Sequence, residues 1–440
     1  MAYLSRSEAE VQEMLREIGV ERFEDLIDYI PAENRFRGTL NLPEPLSELE
    51  IHREIERLTA RNRLGAIFLG GGAYDHYIPA AVKHILLRPE FYTAYTPYQA
   101  EVSQGTLQAI YEYQTMICRL TGMEVANASM YDGGSALAEA VLMAAHHTRK
   151  NRVLLPENIN PLYRRIVETY VKDQQIELVS VPVREGVVER QALLDLLDDA
   201  TAAVVVQNPN FYGLIENPEG LAEAIHEKRA LFIMSVDPIS LALLKTPGEW
   251  GADIVVGEGQ ALGNPLNLGG PYLGIFAARK ALIRKMPGRI VAMTTDVEGK
   301  TAFVTTLQTR EQHIRREKAT SNICTNSQLC ALAALVYLSL MGERGLRRVA
   351  ELSLQKSHYL AEQIAQLPGF ELKYRAPFFK EFVVSTPVPP GEIIQKLMEK
   401  NIFAGIDLQS FNMGQGLLVA VTEKRSREEL DHYVQALKDL

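Results

Sequence analysis

Apolar runs and helical patterns alternate along the chain between residues 152 and 277. Runs rich in β-branched residues lie at 152–155, 176–183, 202–206, 231–236 and 254–256, and amphipathic segments separate them. Apolar runs of this kind predict strands buried on both faces, and the intervening helices predict parallel neighbours. A further run at 272–277 is predicted to return antiparallel. The sequence therefore predicts an α/β domain built on a mostly parallel sheet.

Three regions are predicted from these patterns. Residues 1–60 are charged and helical in pattern, and they predict an N-terminal helical arm. Residues 61–326 contain the alternating pattern and predict the large α/β domain. Residues 327–440 begin within a long apolar helix, predicted over 326–341, and continue as a smaller α+β domain. The long helix is predicted to bridge the two domains.

Composition excludes several functional classes. The 440 residues carry a net charge of -9, which argues against a general nucleic-acid binder and against binding to an anionic membrane surface. The first residues lack the apolar run of a signal peptide, and we find no uninterrupted apolar span of transmembrane length. Cys118, Cys324 and Cys330 lack the spacing of metal ligands and are expected to be reduced thiols of a cytoplasmic protein. No metal is predicted.

Polar residues follow the strands, at the edge where parallel sheets bind ligands. Asp237 ends an apolar strand, and Gln260 follows 23 residues later in a glycine-rich stretch, residues 257–263. Residues 132–135, with the sequence Asp-Gly-Gly-Ser, open an alanine-rich helix whose backbone N–H groups could cradle a phosphate. In a pyridoxal-phosphate enzyme, an Asp at the position of Asp237 would pair with the pyridine nitrogen of the cofactor.

The position expected for the cofactor's lysine holds Gln260, and a carboxamide cannot form an imine with an aldehyde. Asp237 could simply cap the turn at Pro238, and a carboxylate at residue 132 would repel a phosphate. We therefore interpret the site as a vestigial cofactor pocket with no catalytic residues of its own. Its predicted members are Asp132, Gly133, Gly134, Ser135, Asp237 and Gln260.

Two further segments could contribute to a site on another chain. The aromatic loop at residues 92–101 is interpreted either as interface packing or as a source of hydroxyls for a neighbouring site, with Tyr95 and Tyr98 as the candidates. Thr320, Ser321 and Asn322 follow a cationic run and could donate hydrogen bonds to a phosphate across an interface. His76, in a separate glycine-rich turn, is expected to be a satisfied surface histidine, with a polar contact at the edge of a pocket as the alternative.

Three segments carry a resemblance to a known family. Residues 95–105, 269–274 and 310–326 resemble the P-protein of the glycine cleavage system, and in particular its N-terminal half, or alpha subunit. The resemblance covers nearly the whole chain. It implies the fold type I architecture of pyridoxal-phosphate enzymes (aspartate aminotransferase-like), with Gln260 as the degenerate counterpart of the Schiff-base lysine. Asp132 and Asp237 would then be relics with structural roles.

The resemblance also implies a set of partners. Pyridoxal 5'-phosphate is expected on a beta subunit, in an alpha2beta2 complex that decarboxylates glycine and passes the aminomethyl group to the lipoyl arm of the H-protein. Two alternatives stay open. The chain could be a non-catalytic scaffold or regulatory subunit, or it could be a self-sufficient pyridoxal-phosphate aminotransferase or lyase with a displaced lysine.

Overall fold

A computed structural model describes residues 6–36, 38–308, 311–319 and 321–440. The chain forms two compact units, residues 1–63 and residues 64–440. The smaller unit contains helices α1 (Glu8–Ile18), α2 (Phe23–Leu26) and α3 (Glu48–Thr59). At the start of α3, Ser47 and Glu50 each accept a hydrogen bond from the other's backbone N–H, and this capping box defines the helix N-terminus. The three predicted domain boundaries stay predictions.

A seven-stranded sheet forms the centre of the larger unit. Its strand order is β2, β10, β9, β8, β7, β3 and β4. The five strands β9, β8, β7, β3 and β4 run parallel to one another. Strand β10 is antiparallel to both β9 and β2. The mostly parallel sheet and its antiparallel return are therefore confirmed. The bounds are β2 (Val125–Ala126), β3 (Arg152–Pro156), β4 (Glu177–Val181), β7 (Thr201–Asn208), β8 (Leu231–Val236), β9 (Ile254–Glu258) and β10 (Gly274–Ala278).

Helices cover both faces of this sheet. Val204 and Val206 of β7 belong to the core on one face, whereas Val205 belongs to the core on the other face. This alternation explains why the strands contain apolar residues without interruption. The helices of this region are α4 (Ala80–Leu86), α5 (Pro89–Tyr92), α6 (Gln104–Thr121), α7 (Gly133–Thr148), α8 (Pro161–Val171), α9 (Arg190–Leu196), α10 (Leu221–Glu227) and α11 (Gln312–Arg315).

The long helix α12 (Gln328–Ala365) follows the central region. It begins near the predicted start but continues well past residue 341, with a kink at Gly342 where φ is 57°. By length and composition alone, α12 is apolar enough to cross a membrane, although no span of transmembrane length was expected from the sequence. Fifteen of its residues are buried, including Leu332 and Leu335 in the same core as β7, so packing within the fold accounts for its apolar character.

The C-terminal region is a four-stranded antiparallel sheet covered by helices, as the α+β pattern predicts. The strand order is β13 (Glu371–Leu372), β14 (Glu381–Ser385), β17 (Leu417–Ala420) and β16 (Ile406–Asp407), with helices α13 (Pro390–Glu399) and α14 (Arg427–Lys438). Three two-stranded pairs complete the fold: β1 (Ala66–Ile67) with β15 (Ile402–Phe403), β5 (Val183–Arg184) with β6 (Val187–Val188), and β11 (Ile290–Thr295) with β12 (Thr301–Thr306).

The pairing of β1 with β15 positions the loop that follows β1. Phe68 accepts a backbone hydrogen bond from Ala420 of β17, so the chain passes from the C-terminal sheet directly into residues 70–77. This loop lies against the carboxyl ends of the central strands, where the predicted pocket is located.

Candidate functional site

The carboxyl ends of β7, β8 and β9 meet the loop of residues 70–77 and the start of β14. The cavity between them has a volume of about 30 Å³. Since one ordered water needs roughly 10–15 Å³ by this measure, the cavity has room for about two waters. Residues from these elements line it: Gly72, Tyr74, Asn160, Tyr163, Gln207, Pro209, Gly213, Ser235, Val236, Asp237, Glu258, Phe379, Lys380 and Glu381.

Asp237 follows β8 at this edge and forms a buried ion pair. Its Oδ2 lies 2.7 Å from Nζ of Lys380, whose side chain is 2% exposed. The same ammonium lies 3.5 Å from the centre of the Tyr74 ring and 3.0 Å from Nε2 of His76. The predicted residue is therefore in the pocket, but its carboxylate faces a lysine of the C-terminal region. No local sequence pattern connects the two residues.

The protonation of His76 follows from these contacts. An ammonium only donates hydrogen bonds, so Nε2 of His76 accepts from Lys380, and Nδ1 then carries the proton. Nδ1 donates to Oε2 of Glu423 at 2.6 Å. Burial and the charge of Lys380 lower the pKa of His76, which agrees with a neutral ring. His76 is 5% exposed, so the expectation of a surface histidine was wrong. The short glycine-rich turn gave no periodicity from which burial could be recognised.

Gln260 follows β9 and uses all of its polar atoms in the fold. Its Nε2 donates to the carbonyl oxygens of Tyr74 and Asn264, at 3.0 and 2.7 Å, and its Oε1 accepts from the Tyr74 N–H at 2.8 Å. The residue is 1% exposed. The carboxamide therefore fixes the loop of residues 70–77 to the end of β9.

Two N–H groups at the glycine-led start of α7 donate to the side chains of acidic residues. Asp132 caps the helix by accepting from the Ser135 N–H at 2.7 Å, and Oε2 of Glu258 accepts from the Gly133 N–H at 3.0 Å. Burial raises the pKa of Glu258 to about 8, although three backbone N–H groups oppose the shift. At Gly134 an added Cβ would lie 2.4 Å from Ile166 Cδ1, so glycine permits α7 to pack against α8.

Glu381, at the start of β14, is a second buried carboxyl group in the pocket. It accepts hydrogen bonds from the Gly71 N–H and from the Tyr74 hydroxyl, both at 2.7 Å. Burial raises its pKa to about 7. Sequence reasoning missed Glu381, Lys380 and Glu423, since all three come from the C-terminal region and carry no motif.

The residues predicted to reach a partner lie outside this pocket. Tyr95 and Tyr98 are 77% and 57% exposed, and Tyr98 packs edge-on against His313 with ring centres 6.3 Å apart. Ser321 donates to Oε1 of buried Glu139 at 2.8 Å, and Asn322 is exposed. Thr320 lies outside the described residues. The structure thus places Tyr98 close to residues 311–319. It places neither the loop of residues 92–101 nor residues 321–322 beside Asp237 or Gln260.

The comparisons with known proteins decide the family. The model of the glycine cleavage system P-protein family matches residues 1–437. The chain belongs to the P-protein family. It is 54% identical, over the full length of both chains, to the probable glycine dehydrogenase (decarboxylating) subunit 1 of Chloroherpeton thalassium. The family resemblance and the predicted enzyme class, a subunit of glycine dehydrogenase, are therefore confirmed.

Solved structures confirm the predicted fold. A crystal structure of glycine decarboxylase (P-protein) in an inhibitor-bound form superposes with a TM-score of 0.93 at 44% identity, covering all of both chains. A sphingosine-1-phosphate lyase of Burkholderia pseudomallei superposes with a TM-score of 0.66 at 15% identity, covering 93% of this chain and 94% of that one, which shows the fold alone. The chain therefore has the pyridoxal-phosphate fold type I.

This P-protein chain does not fit the cofactor of its own fold class. The predicted lysine position holds Gln260, which cannot form an imine, and in the predicted phosphate cradle two N–H groups are occupied by Glu258 and Asp132. A protonated pyridine nitrogen needs the carboxylate of Asp237, which already pairs with Lys380. The free space of about 30 Å³ is also far smaller than ligand pockets, which hold on the order of 300–1,000 Å³. Among the described residues, no cluster of three or more His, Cys, Asp or Glu side chains could hold a metal ion.

Proposed function

We propose that this chain is the cofactor-free subunit of a glycine decarboxylase and that a partner subunit holds pyridoxal phosphate. One observation carries the proposal: the pocket at the strand ends holds Gln260 where a lysine is predicted, and its other predicted cofactor-binding groups are occupied by Lys380 and Glu258. The printed name of the relatives, subunit 1, supports the existence of a second subunit. The complex would decarboxylate glycine and transfer the aminomethyl group to the lipoyl arm of the H-protein.

Exposed aromatic residues support a role in an assembly. Tyr92, Tyr95 and Tyr98 are 62%, 77% and 57% exposed, and Val102 beside them is 76% exposed. Clusters of exposed aromatic and aliphatic side chains are typical of surfaces that a partner covers. We propose that this loop contacts the beta subunit in a cytoplasmic alpha2beta2 complex. Tyr95, Tyr98, Ser321 and Asn322, together with Thr320, would complete the partner's site.

An absorbance experiment tests the proposal. The chain is purified alone and with its partner subunit, and pyridoxal phosphate is added to each. A Schiff base between the cofactor and a lysine absorbs in the visible region, so we expect colour and glycine decarboxylation only in the presence of the partner. Colour in the isolated chain, together with a lysine labelled after borohydride reduction, would refute the proposal.

One observation favours a second candidate, an enzyme with a displaced lysine. Lys380 is the one lysine among the residues that line the cavity. However, its Nζ is 2.7 Å from Asp237, the residue that would face the pyridine nitrogen. In pyridoxal phosphate the aldehyde carbon is attached para to that nitrogen, at the opposite end of the ring. Lys380 therefore lies at the wrong end of the pocket for an imine. Peptide mapping after borohydride reduction separates the candidates, because only this second candidate predicts a label at position 380.

A further inference from the structure

We infer that Lys380 is the permanent occupant of the degenerate pocket, where it excludes pyridoxal phosphate and clasps the C-terminal sheet to the central sheet. The inference rests on the proposed function for the identity of the excluded ligand. It goes further by assigning the closure to specific side chains of this chain.

All three N–H bonds of the Lys380 ammonium have a partner in the fold. One points to Asp237, one to Nε2 of His76, and the face of the Tyr74 ring accepts the third, at 2.7, 3.0 and 3.5 Å. These partners come from the end of β8 and from the loop after β1, whereas Lys380 itself precedes β14. The ammonium thus joins three separate parts of the larger unit.

The backbone around Lys380 holds the ammonium in place. The Lys380 carbonyl accepts from the Val421 N–H at 2.9 Å, and the neighbouring Phe379 N–H donates to the Gly213 carbonyl at 3.1 Å. The Phe379 carbonyl accepts from the Ser357 hydroxyl at 2.8 Å. Backbone bonds fix the chain on both sides of Lys380, so its Cα stays at the pocket. Only rotation of the side chain could withdraw the ammonium, and that rotation would leave Asp237 buried without its ion-pair partner.

Charge makes this occupation incompatible with the cofactor. A protonated pyridine nitrogen at Asp237 would place a second cation beside Lys380, and both would share one buried carboxylate. The other carboxylates near Lys380 have their own partners, since Glu423 accepts from His76 and Glu381 accepts from Tyr74 and Gly71. Displacing Lys380 from Asp237 would leave a buried ammonium without a counterion.

The opposite end of the pocket is closed in the same way. Glu258 accepts from the Gly133 N–H, so a cofactor phosphate would meet a carboxyl group in its cradle. Three features of the pocket thus oppose the cofactor: the missing lysine at position 260, Lys380 beside Asp237, and Glu258 at the Gly133 N–H. Restoring a lysine at position 260 corrects only the first. It follows that Gln260→Lys alone should leave the chain unable to bind pyridoxal phosphate.

The first test reopens the pocket by substitution. Wild type, Gln260→Lys and the triple variant Gln260→Lys/Lys380→Ala/Glu258→Ala are mixed with pyridoxal phosphate, reduced with borohydride and analysed by mass spectrometry. We expect at least a tenfold higher yield of label at position 260 in the triple variant than in Gln260→Lys. Labelling of Gln260→Lys to the same extent would overturn the inference. Absence of label in a triple variant that circular dichroism shows to be folded would also overturn it, because another feature would then exclude the cofactor.

The second test measures the clasp without any cofactor or partner. Removing Lys380 leaves Asp237 buried and unpaired, so Lys380→Met should lower the Tm by about 3–5 °C. Lys380→Met/Asp237→Asn should recover at least half of that loss, because the uncompensated charge is gone. An exposed lysine serves as the control, and Lys300→Met should shift the Tm by less than about 2 °C.

The results are interpretable even if one variant fails to fold. An unfolded Lys380→Met beside a folded double variant supports the clasp. A Lys380→Met protein as stable as wild type, or a double variant no more stable than the single one, refutes it. Binding of pyridoxal phosphate by the wild-type chain alone would refute both the proposed function and the exclusion, whereas the Tm cycle tests the clasp independently of either. If the wild-type chain binds no cofactor and Gln260→Lys is labelled as well as the triple variant, the proposed function stands and only the exclusion fails.

Discussion

Glu381 illustrates how a single residue of this pocket couples stability to pH. Burial raises its pKa from an ordinary value of 4.5 to about 7. Between those two pH values the folded protein keeps the proton and the unfolded chain has lost it. This raised pKa therefore contributes fully to the free energy of unfolding below pH 4.5. The contribution decreases as the pH rises and is lost above pH 7.

The variant Glu381→Gln should remove this part of the pH dependence. A glutamine can still accept from the Gly71 N–H and donate to the Tyr74 hydroxyl, so the geometry is preserved. Between pH 5 and 7, we expect the free energy of unfolding of wild type to fall more steeply than that of the variant, by up to about 1.4 kcal/mol per pH unit. Urea unfolding at pH 5, 6, 7 and 8 measures the two slopes.

An exposed glutamate provides the control that separates the effect of burial from the effect of replacing any glutamate by glutamine. Glu343 is exposed, and Glu343→Gln should retain the wild-type slope. Glu258 and Glu139, whose pKa values burial raises to about 8 and about 7, contribute equally to all three proteins and cancel in the difference. Equal slopes for wild type and Glu381→Gln would contradict the prediction.

Tyr95 tests whether this chain completes the partner's site or only supports it. If its hydroxyl reaches the reacting groups, Tyr95→Phe should lower kcat of the complex by about 10²-fold or more while the complex stays intact. Tyr29, which is 82% exposed in the N-terminal unit, provides the control Tyr29→Phe. Glycine decarboxylation and size-exclusion chromatography are measured together. Unchanged turnover for Tyr95→Phe, and also for Asn322→Ala, would favour the scaffold alternative.

Helix α3 exposes several large apolar side chains. Ile51, Ile55 and Leu58 are 48%, 53% and 41% exposed, and their spacing of four and three residues places them on one face. None of the twelve residues of α3 is buried. A face of this kind is typical of a helix that packs against another chain, and we assign it to the partner subunit.

Charge on this face should therefore separate the subunits without unfolding the chain. Ile55→Glu is expected to raise the Kd for the partner at least tenfold, because each buried aliphatic side chain contributes roughly 1.5–3 kcal/mol. Arg53→Glu introduces the same side chain on the opposite face and should leave the Kd within about twofold. Isothermal titration calorimetry gives both values, and equal effects of the two substitutions would argue against the assignment.

The elements also show how far sequence alone could reach. The run at 231–236 coincides with β8, and the antiparallel return at 272–277 overlaps β10, because β-branched residues in continuous runs are characteristic of buried strands. The location of the pocket followed from the same pattern, since ligand sites in such sheets lie at the strand ends.

The occupants of the pocket could not be predicted in this way. Lys380 and Glu423 approach Asp237 and His76 only through tertiary packing, and contacts between residues so distant in the chain leave no periodic signal. His76 was misjudged for the same reason. The interpretation of Gln260 as a replaced lysine used the local order of strands, which the structure confirms by placing Gln260 directly after β9, and the replacement itself stays a prediction.

At the scale of the whole molecule, the chain retains a cofactor-binding fold whose own pocket is closed. If its partner has the same fold with an open pocket, a complex with equal numbers of the two chains contains two pockets per pair but only one that accepts pyridoxal phosphate. We therefore predict one bound cofactor per pair of chains, and two per alpha2beta2 complex. Titration of the apo-complex with pyridoxal phosphate, followed by absorbance and by protein mass from light scattering, gives this ratio directly.

The ratio distinguishes the proposed function from the self-sufficient enzyme with a displaced lysine. A value near one cofactor per pair agrees with a closed pocket on this chain, and substituting the partner's Schiff-base lysine should then abolish the visible absorbance of the Schiff base. A value near two would mean that this chain also holds the cofactor, so the ion pair between Lys380 and Asp237 would have to open in the complex. Because breaking a buried ion pair costs several kcal/mol, the second site would then be markedly weaker than the first, and the titration would show two phases.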